Sequence, residues 1–213
     1  MKITKIERIQ FKKNIFRIFF EDSENLILSA DTIVKFGLKI GLNISQDIYK
    51  EVISHNTLNR VVCDTLILLS KRSYSVKNLQ TKLIQRGYES QKVDEAVKRL
   101  EELNYINDEK FAKTYAVYLS EKGKGEFAIK AELEKQGVER NLIKDVMAKI
   151  KTDIDPYEQI AKLLKVKFKN FNGENKNEAR RALSFFLRRG FSYESIVKVF
   201  RACIKEMEDI SIE

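Results

Sequence analysis

A short apolar string closed by glycine occurs three times in this chain, and that recurrence restricts its possible folds more than any other feature. Leu83-Ile84-Gln85-Arg86-Gly87-Tyr88 returns as Leu133-Glu134-Lys135-Gln136-Gly137-Val138 and again as Phe186-Leu187-Arg188-Arg189-Gly190-Phe191. The glycines lie 50 and 53 residues apart. Each has an apolar or small residue at −8 and −4: Leu79 and Leu83, Ile129 and Leu133, Ala182 and Phe186. Each also has a β-branched residue at +6: Val93, Ile143 and Ile196. Self-similarity at a nearly fixed period marks stacked supersecondary units. Residues four apart share one face of a helix, so the string reads as a helix that Gly87, Gly137 and Gly190 stop.

The first thirty residues differ. Ile3, Ile9 and Phe11 alternate with Lys2, Arg8 and Gln10, Ile15–Phe20 is β-branched and aromatic, and Leu26–Ser29 resumes an apolar run after a polar turn. This predicts a three-stranded antiparallel meander, which needs a helix against one face to be stable. Asp31 is expected to cap a short helix stopped by Gly37, and a break is expected at Ser54–Asn56 with Thr57 as the next cap. Beyond it the spacing is helical throughout: Ser75, Ser90, Asn107 and Asp155 are candidate caps, and Pro156 suits the first turn of a helix. Buried stripes are expected to include Leu103 and Leu187. The chain therefore divides into a β-meander module over 1–55 and three-helix repeats over 56–106, 107–152 and 153–213. The fold class is mainly α, with three tandem repeats in an elongated, curved arrangement.

Charge is unevenly distributed. The whole chain carries 40 Lys and Arg against 31 Asp and Glu, a formal charge of +9. Residues 159–205 alone hold 12 basic and 3 acidic side chains, ahead of an acidic end formed by Glu206, Glu208, Asp209 and Glu213. A basic segment of this density favours a polyanionic partner. Cys63 and Cys203 have no metal-ligand spacing and read as small buried hydrophobes of a reducing cytosol. No charge-free stretch is long enough to span a bilayer. The expected location is cytoplasmic.

Signatures of catalysis are absent from the sequence. His55 is the only histidine, which argues against a multi-histidine metal site or a Ser-His-Asp arrangement, and it is expected at the surface of a helix junction. There is no phosphate-binding glycine loop, and Gly123-Lys124-Gly125 reads as a helix-breaking linker. The expectation is a non-enzyme without cofactor, catalytic residue or metal.

The last repeat offers a more specific pattern. At 100° per residue, Ala179, Ala182, Leu183, Phe186 and Leu187 share one arc, while Arg180, Arg181, Ser184 and Arg188 share the opposite one. Docking the apolar arc leaves three forked guanidinium groups projecting together, a geometry suited to phosphate or carboxylate oxygens. Phe185 sits at the edge of that face.

Two longer strings carry a resemblance to a known family. Ser70–Leu83 with Arg86-Gly87-Tyr88, and Leu100–Ala112 with its L-x-x-L-x-Y-I-x-D-x-x-F-A pattern, resemble the RecX regulators of bacteria. Lys122–Gly125 and Leu133–Val138 are similar to the family's second glycine-closed helix. The meander with Val34–Leu38 is similar to the extra module of the Gram-positive members. Asn78 stands where the family usually has an acidic residue, and Gln136 where a lysine is commoner.

The resemblance implies a non-enzymatic modulator of RecA, acting in recombination, DNA repair and the SOS response. Such a protein lies in the groove of the RecA–DNA filament and restrains its ATPase, strand exchange and growth. It implies contact with single- or double-stranded DNA through phosphates, and a monomer. The basic residues expected to meet nucleic acid or filament are Lys71, Arg72, Lys77 and Arg86 in the first repeat. Lys122, Lys124, Lys130 and Lys135 are expected to do so in the second, and Arg180, Arg181, Arg188 and Arg189 in the third. The alternative reading is a stand-alone helix-turn-helix-like DNA-binding protein.

Overall fold

The computed structural model describes residues 1–10, 14–150, 155–169, 171 and 175–210, the last six by backbone alone. Phe11, Asn170 and the residues at 172–174 and 211–213 lie outside the described residues. Three strands come first: β1 (Ile3–Arg8), β2 (Ile15–Phe20) and β3 (Leu26–Ser29). They form an antiparallel sheet in the order β1-β2-β3, as the alternation predicts. Ten helices follow among the described residues: α1 (Ala30–Lys35), α2 (Gln46–Leu69), α3 (Val76–Gln85), α4 (Ser90–Glu102), α5 (Asp108–Glu121), α6 (Glu126–Lys135), α7 (Arg140–Lys149), α8 (Pro156–Lys167), α9 (Lys176–Arg188) and α10 (Tyr193–Ile210). By compactness, residues 1–73 with 79–106 make one unit and residues 74–78 with 107–213 make another.

In the first unit the sheet buries Ile3, Ile18, Phe20 and Leu28 with Leu38, Ile44 and Val52. The expected break at Ser54–Asn56 does not occur, because α2 runs unbroken for 24 residues. Asn56 is buried for a different reason. Its Nδ2 donates to Ile27 O (2.9 Å), and its Oδ1 accepts from Ser29 N (3.0 Å). The amide thus satisfies the free edge of β3 as a neighbouring strand would. Thr57 is not a cap; its hydroxyl donates back to Ile53 O (2.9 Å) within the helix. Ser29, not Asp31, caps α1, its oxygen accepting from Thr32 N. His55 is half-buried in mid-helix rather than at a junction. Its Nδ1 lies near Thr32 Oγ1 (3.3 Å) and its ring meets Phe36 edge-on. Burial, with Lys35 and Arg99 nearby, lowers its pKa. Cys63 is exposed, contrary to expectation, because it falls on the outer side of α2 between buried Val61 and Thr65. Cys203 is half-buried against the core of the last repeat.

The three glycine strings fold alike. Gly87, Gly137 and Gly190 take φ of +89°, +83° and +83°. In each, the glycine N–H donates to the carbonyl three residues back: Ile84 (2.9 Å), Glu134 (2.9 Å) and Leu187 (2.9 Å). The next residue's N–H reaches five residues back, from Tyr88 to Leu83 (3.3 Å), Val138 to Leu133 (3.1 Å) and Phe191 to Phe186 (3.2 Å). This is the Schellman closure, which requires a left-handed residue that glycine adopts without a Cβ clash. All nine residues at −8, −4 and +6 are buried to 3% exposure or less. The third helix of each triple starts three residues after the glycine. Glu89, Glu139 and Ser192 hold the cap positions, so Ser90 is the first residue of α4 rather than its cap. The first helix of each triple packs on the third: α2 on α4, α5 on α7, α8 on α10. The caps Asn107 and Asp155 are in place, and Pro156 occupies the first turn of α8. Leu103 is exposed because α4 ends at Glu102 and Asn104, at φ +58°, turns the chain outward.

Within the second unit the same turn also receives a helix start. Gly125 N donates to Arg189 O (2.8 Å) and Phe127 N to Gly190 O (3.0 Å). The unsatisfied donors that open α6 thereby meet the unsatisfied acceptors that close α9. The approach is so close that a Cβ on Gly190 would lie 2.3 Å from Ala128 N. Residues 75–78, the start of α3, meet the end of α6 in a related way. Ser75 Oγ donates to Gln136 O, and the Lys77 stem covers Gly137. Asn78 Nδ2 donates to Gln136 Oε1 (2.5 Å). Asp108, in the Leu100–Ala112 string, accepts from Val76 N (2.9 Å) and so caps α3 from another helix.

Two outcomes follow. Gly87→Ala meets only backbone strain, about 1–2 kcal/mol, since nothing lies within 4 Å of its Cβ position. Gly190→Ala adds an overpacking term of about 1–3 kcal/mol, and thermal unfolding will show a clearly larger drop in Tm for the second variant. Burial raises the Asp108 pKa, offset in part by the Val76 bond. The folded chain therefore holds that proton more tightly, and Asp108 opposes stability increasingly as pH rises through the carboxylate range. Asp108→Asn keeps the acceptor without the charge. Its Tm relative to wild type is expected to be higher at pH 7 than at pH 4, whereas Asp108→Ala loses about 1 kcal/mol of capping.

Candidate nucleic-acid interface

The helix α9 carries the most developed basic surface. Ala182 and Phe186 are fully buried, with Ala179, Leu183 and Phe185 packed partly beneath them. Leu187, expected on the buried arc, is 45% exposed, because it lies at the edge of that arc and α9 ends one residue later. Arg180, Arg181, Ser184 and Arg188 fall together on the outer side. With Phe168 and Phe185 they line one open concavity of about 430 Å³. None of the three arginines forms an ion pair among the described residues. Three guanidinium groups around an aromatic floor, uncompensated by carboxylates, give an anion-attracting surface.

Arg189, next in sequence, is turned to a different task. Its Nη1 donates to Lys122 O and Gly123 O (3.1 Å each), and its guanidinium lies 4.8 Å from the Phe185 ring centroid. It ties the α5–α6 turn to the end of α9. Lys122 holds its ammonium over the Tyr118 ring at 5.5 Å, and Lys124 is exposed beside it.

The other expected contact residues are scattered. Lys130 pairs with Glu126 one turn away, and Lys135 is exposed at the end of α6. Lys77 is exposed, its stem on Gly137. In the first unit Lys71 and Arg72 occupy exposed positions after α2. Arg86 pairs with Asp64 at 3.3 Å, and Tyr88 OH donates to the same carboxylate (3.1 Å). Burial and the Asp64 charge raise the Tyr88 pKa. Phe185 is legible from sequence at the edge of this face, whereas Phe168 and Tyr118 escape it as site residues; the only local signal for Tyr118 is the spacing Phe111, Tyr115, Tyr118 along α5.

Among the described residues no His, Cys, Asp or Glu cluster could hold a metal ion, and no helix is long and apolar enough to cross a membrane. Fold and surface define a class: a protein of tandem glycine-closed three-helix repeats behind a small β module, with a polybasic last repeat. Comparison with known proteins makes the class specific. The family description "RecX, first three-helix domain" matches residues 66–100, and "RecX, second three-helix domain" matches residues 107–147. "Regulatory protein RecX" of Listeria innocua is 26% identical over 195 residues, covering 91% of this chain and 72% of that protein. The protein of the same name from Clostridium perfringens strain 13 is 25% identical, covering 94% of this chain and 95% of its own length. A crystal structure of regulatory protein RecX superposes with a TM-score of 0.73 at 19% identity, over 93% of this chain and 98% of that one. The RecX of Lactobacillus salivarius gives 0.62 at 22% identity, over 70% and 97%. The chain belongs to the RecX family.

The double variant Arg181→Glu, Arg188→Glu is expected to weaken nucleic-acid or filament binding at least tenfold, with an unchanged far-ultraviolet circular dichroism spectrum. Anisotropy of a labelled oligonucleotide, alone and coated with RecA, reads the first, and unchanged binding in both formats would remove α9 as a contact.

Proposed function

We propose that this protein is a non-enzymatic regulator that engages RecA filaments on DNA and restrains their ATP hydrolysis, strand exchange and growth. Family membership supplies the regulatory role. The observation that carries the reading further is the α9 concavity, whose three arginines have no carboxylate partner among the described residues. A surface of that kind gains most from a partner with regularly spaced negative charge. Phosphates of a filament-enclosed strand supply such a partner, and their contacts are strongly salt-dependent. Repeated modules on one chain add to this, because each contact after the first is intramolecular and strengthens overall binding without any strong individual site. Three acidic residues of the second repeat, Glu109, Glu126 and Glu134, are each engaged with a basic side chain of the same unit.

The test is steady-state ATP hydrolysis by RecA on single-stranded DNA with this protein well below stoichiometry. The rate is expected to fall, and filament lifetime by electron microscopy to shorten. An unchanged rate together with unchanged filament lifetime would refute the proposal. Tight, sequence-selective binding to free duplex without any effect on RecA would replace it with a stand-alone DNA-binding function.

A further inference from the structure

We infer that the surface joining α5 to α9 is a track for single-stranded nucleic acid, held by base stacking as well as by phosphate contacts. The inference deepens the regulator reading by assigning the strand, rather than the RecA protein, to this face.

The starting point is a ladder of rings on α5. Phe111 and Tyr115 stack at 5.5 Å with an interplanar angle of 20°, and Tyr115 and Tyr118 at 6.1 Å and 14°. The ladder ends at Tyr118, which is 49% exposed. Core rings of the last repeat behave differently: Phe186 meets Phe191 and Phe200 edge-on, at 76° and 70°. Tyr118 is exposed and covered on the outside by the exposed Lys122 side chain, so a base can stack on the ring where that flexible chain moves aside.

Cations and rings then alternate along a continuous line of contacts. The Lys122 ammonium lies over Tyr118. The Lys122 carbonyl accepts from Arg189, whose guanidinium covers Phe185, and Phe185 meets Phe168 at 5.6 Å. Phe168 and Phe185 are the floor of the concavity rimmed by Arg180, Arg181 and Arg188. All of these residues belong to one compact unit. Phosphate binding alone needs only the arginines. Rings interleaved with the cations add affinity only for a partner whose base faces are open, and in a duplex those faces are already stacked. Charge sets the sign of the partner, and the rings select unpaired bases.

The test uses the full chain and no RecA. Fluorescence anisotropy with a labelled oligothymidylate of about 20 nucleotides is compared with a duplex of equal length. The single strand is expected to bind more tightly. Tyr118→Ala is expected to weaken it about tenfold, as one lost base stack does, while Tyr118→Phe keeps it. The salt slope separates the two kinds of contact: Tyr118→Ala leaves it unchanged, whereas Arg181→Gln with Arg188→Gln lowers it by about 1.4. Equal or tighter duplex binding, an unaffected Tyr118→Ala, or equal binding of poly-glutamate would each overturn the inference. Suppression of RecA ATPase without any strand binding would also overturn it while leaving the regulator reading intact. Strand binding with no effect on RecA would support it and refute that reading.

Discussion

The pair of hydrogen bonds that closes each middle helix is the interaction on which the rest of the structure depends. A helix ending at Gly87, Gly137 or Gly190 bends sharply enough to bring the following residue's N–H back to the fifth residue before it. That return places Val138 and Phe191 in the core beside Leu133 and Phe186. It also starts the third helix three residues after the glycine in all three repeats. A side chain at the glycine would oppose the left-handed backbone, so the connection tolerates little substitution. The same turn leaves helix-end carbonyls exposed in a fixed direction, and the start of another helix receives them. Gly125 and Phe127 donate to Arg189 and Gly190 where the second and third repeats of the unit meet. One local motif therefore both ends a repeat and provides the acceptors for its neighbour.

This explains why adjacent arginines have opposite fates. Arg189 sits immediately before the glycine, where its carbonyl is consumed by Gly125 and its guanidinium by the carbonyls of Lys122 and Gly123. Arg188 is one step round the helix, 100° away, and joins Arg180 and Arg181 at the concavity. The equivalent position in the first repeat, Arg86, is drawn onto Asp64. In the second it is Gln136, whose oxygens meet Ser75 and Asn78. The position before the glycine is thus used for internal contacts in every repeat, and the surface available to a partner is built from the turn that precedes it.

Local patterns in the chain are enough to read much of this. Strand alternation, the glycine offsets, the Asn107 and Asp155 caps and the division of α9 into apolar and basic arcs are each set by residues within a turn or two of one another. What escapes is set by distant partners. Asn56 reads as a helix break, since its amide is a poor helix former in isolation, and only β3 lying alongside turns it into an edge-strand substitute. Arg86 reads as a free contact residue because Asp64, its counterion, lies 22 residues away on another helix. Cys63 reads as buried from its apolar neighbours and Leu187 from its place on the apolar arc, yet the first falls on the outer side of α2 and the second at the edge of the arc where α9 ends. Phe185 is legible at the edge of the arginine face, but its partner Phe168 is not, because it comes from the end of α8 and no spacing rule connects the two.

The contact between Asn78 and Gln136 bears on how the charge of this chain is arranged. These are the two positions at which its resemblance to the family departs from an acidic residue and a lysine, and they face each other at 2.5 Å. An acid and a lysine at that site would form a partly buried ion pair whose attraction must offset the loss of water around both groups. Two amides keep the donor and acceptor without that desolvation, so this contact between the start of α3 and the end of α6 is made by neutral groups. Its neighbour Ser75 hydrogen-bonds to a neutral carbonyl in the same joint. Formal charge is correspondingly low over the second repeat and high from residue 159 to 205. The Asn78–Gln136 contact thus adds no charge to the unit, whose positive charge is concentrated in the last repeat, where an anionic partner can meet it.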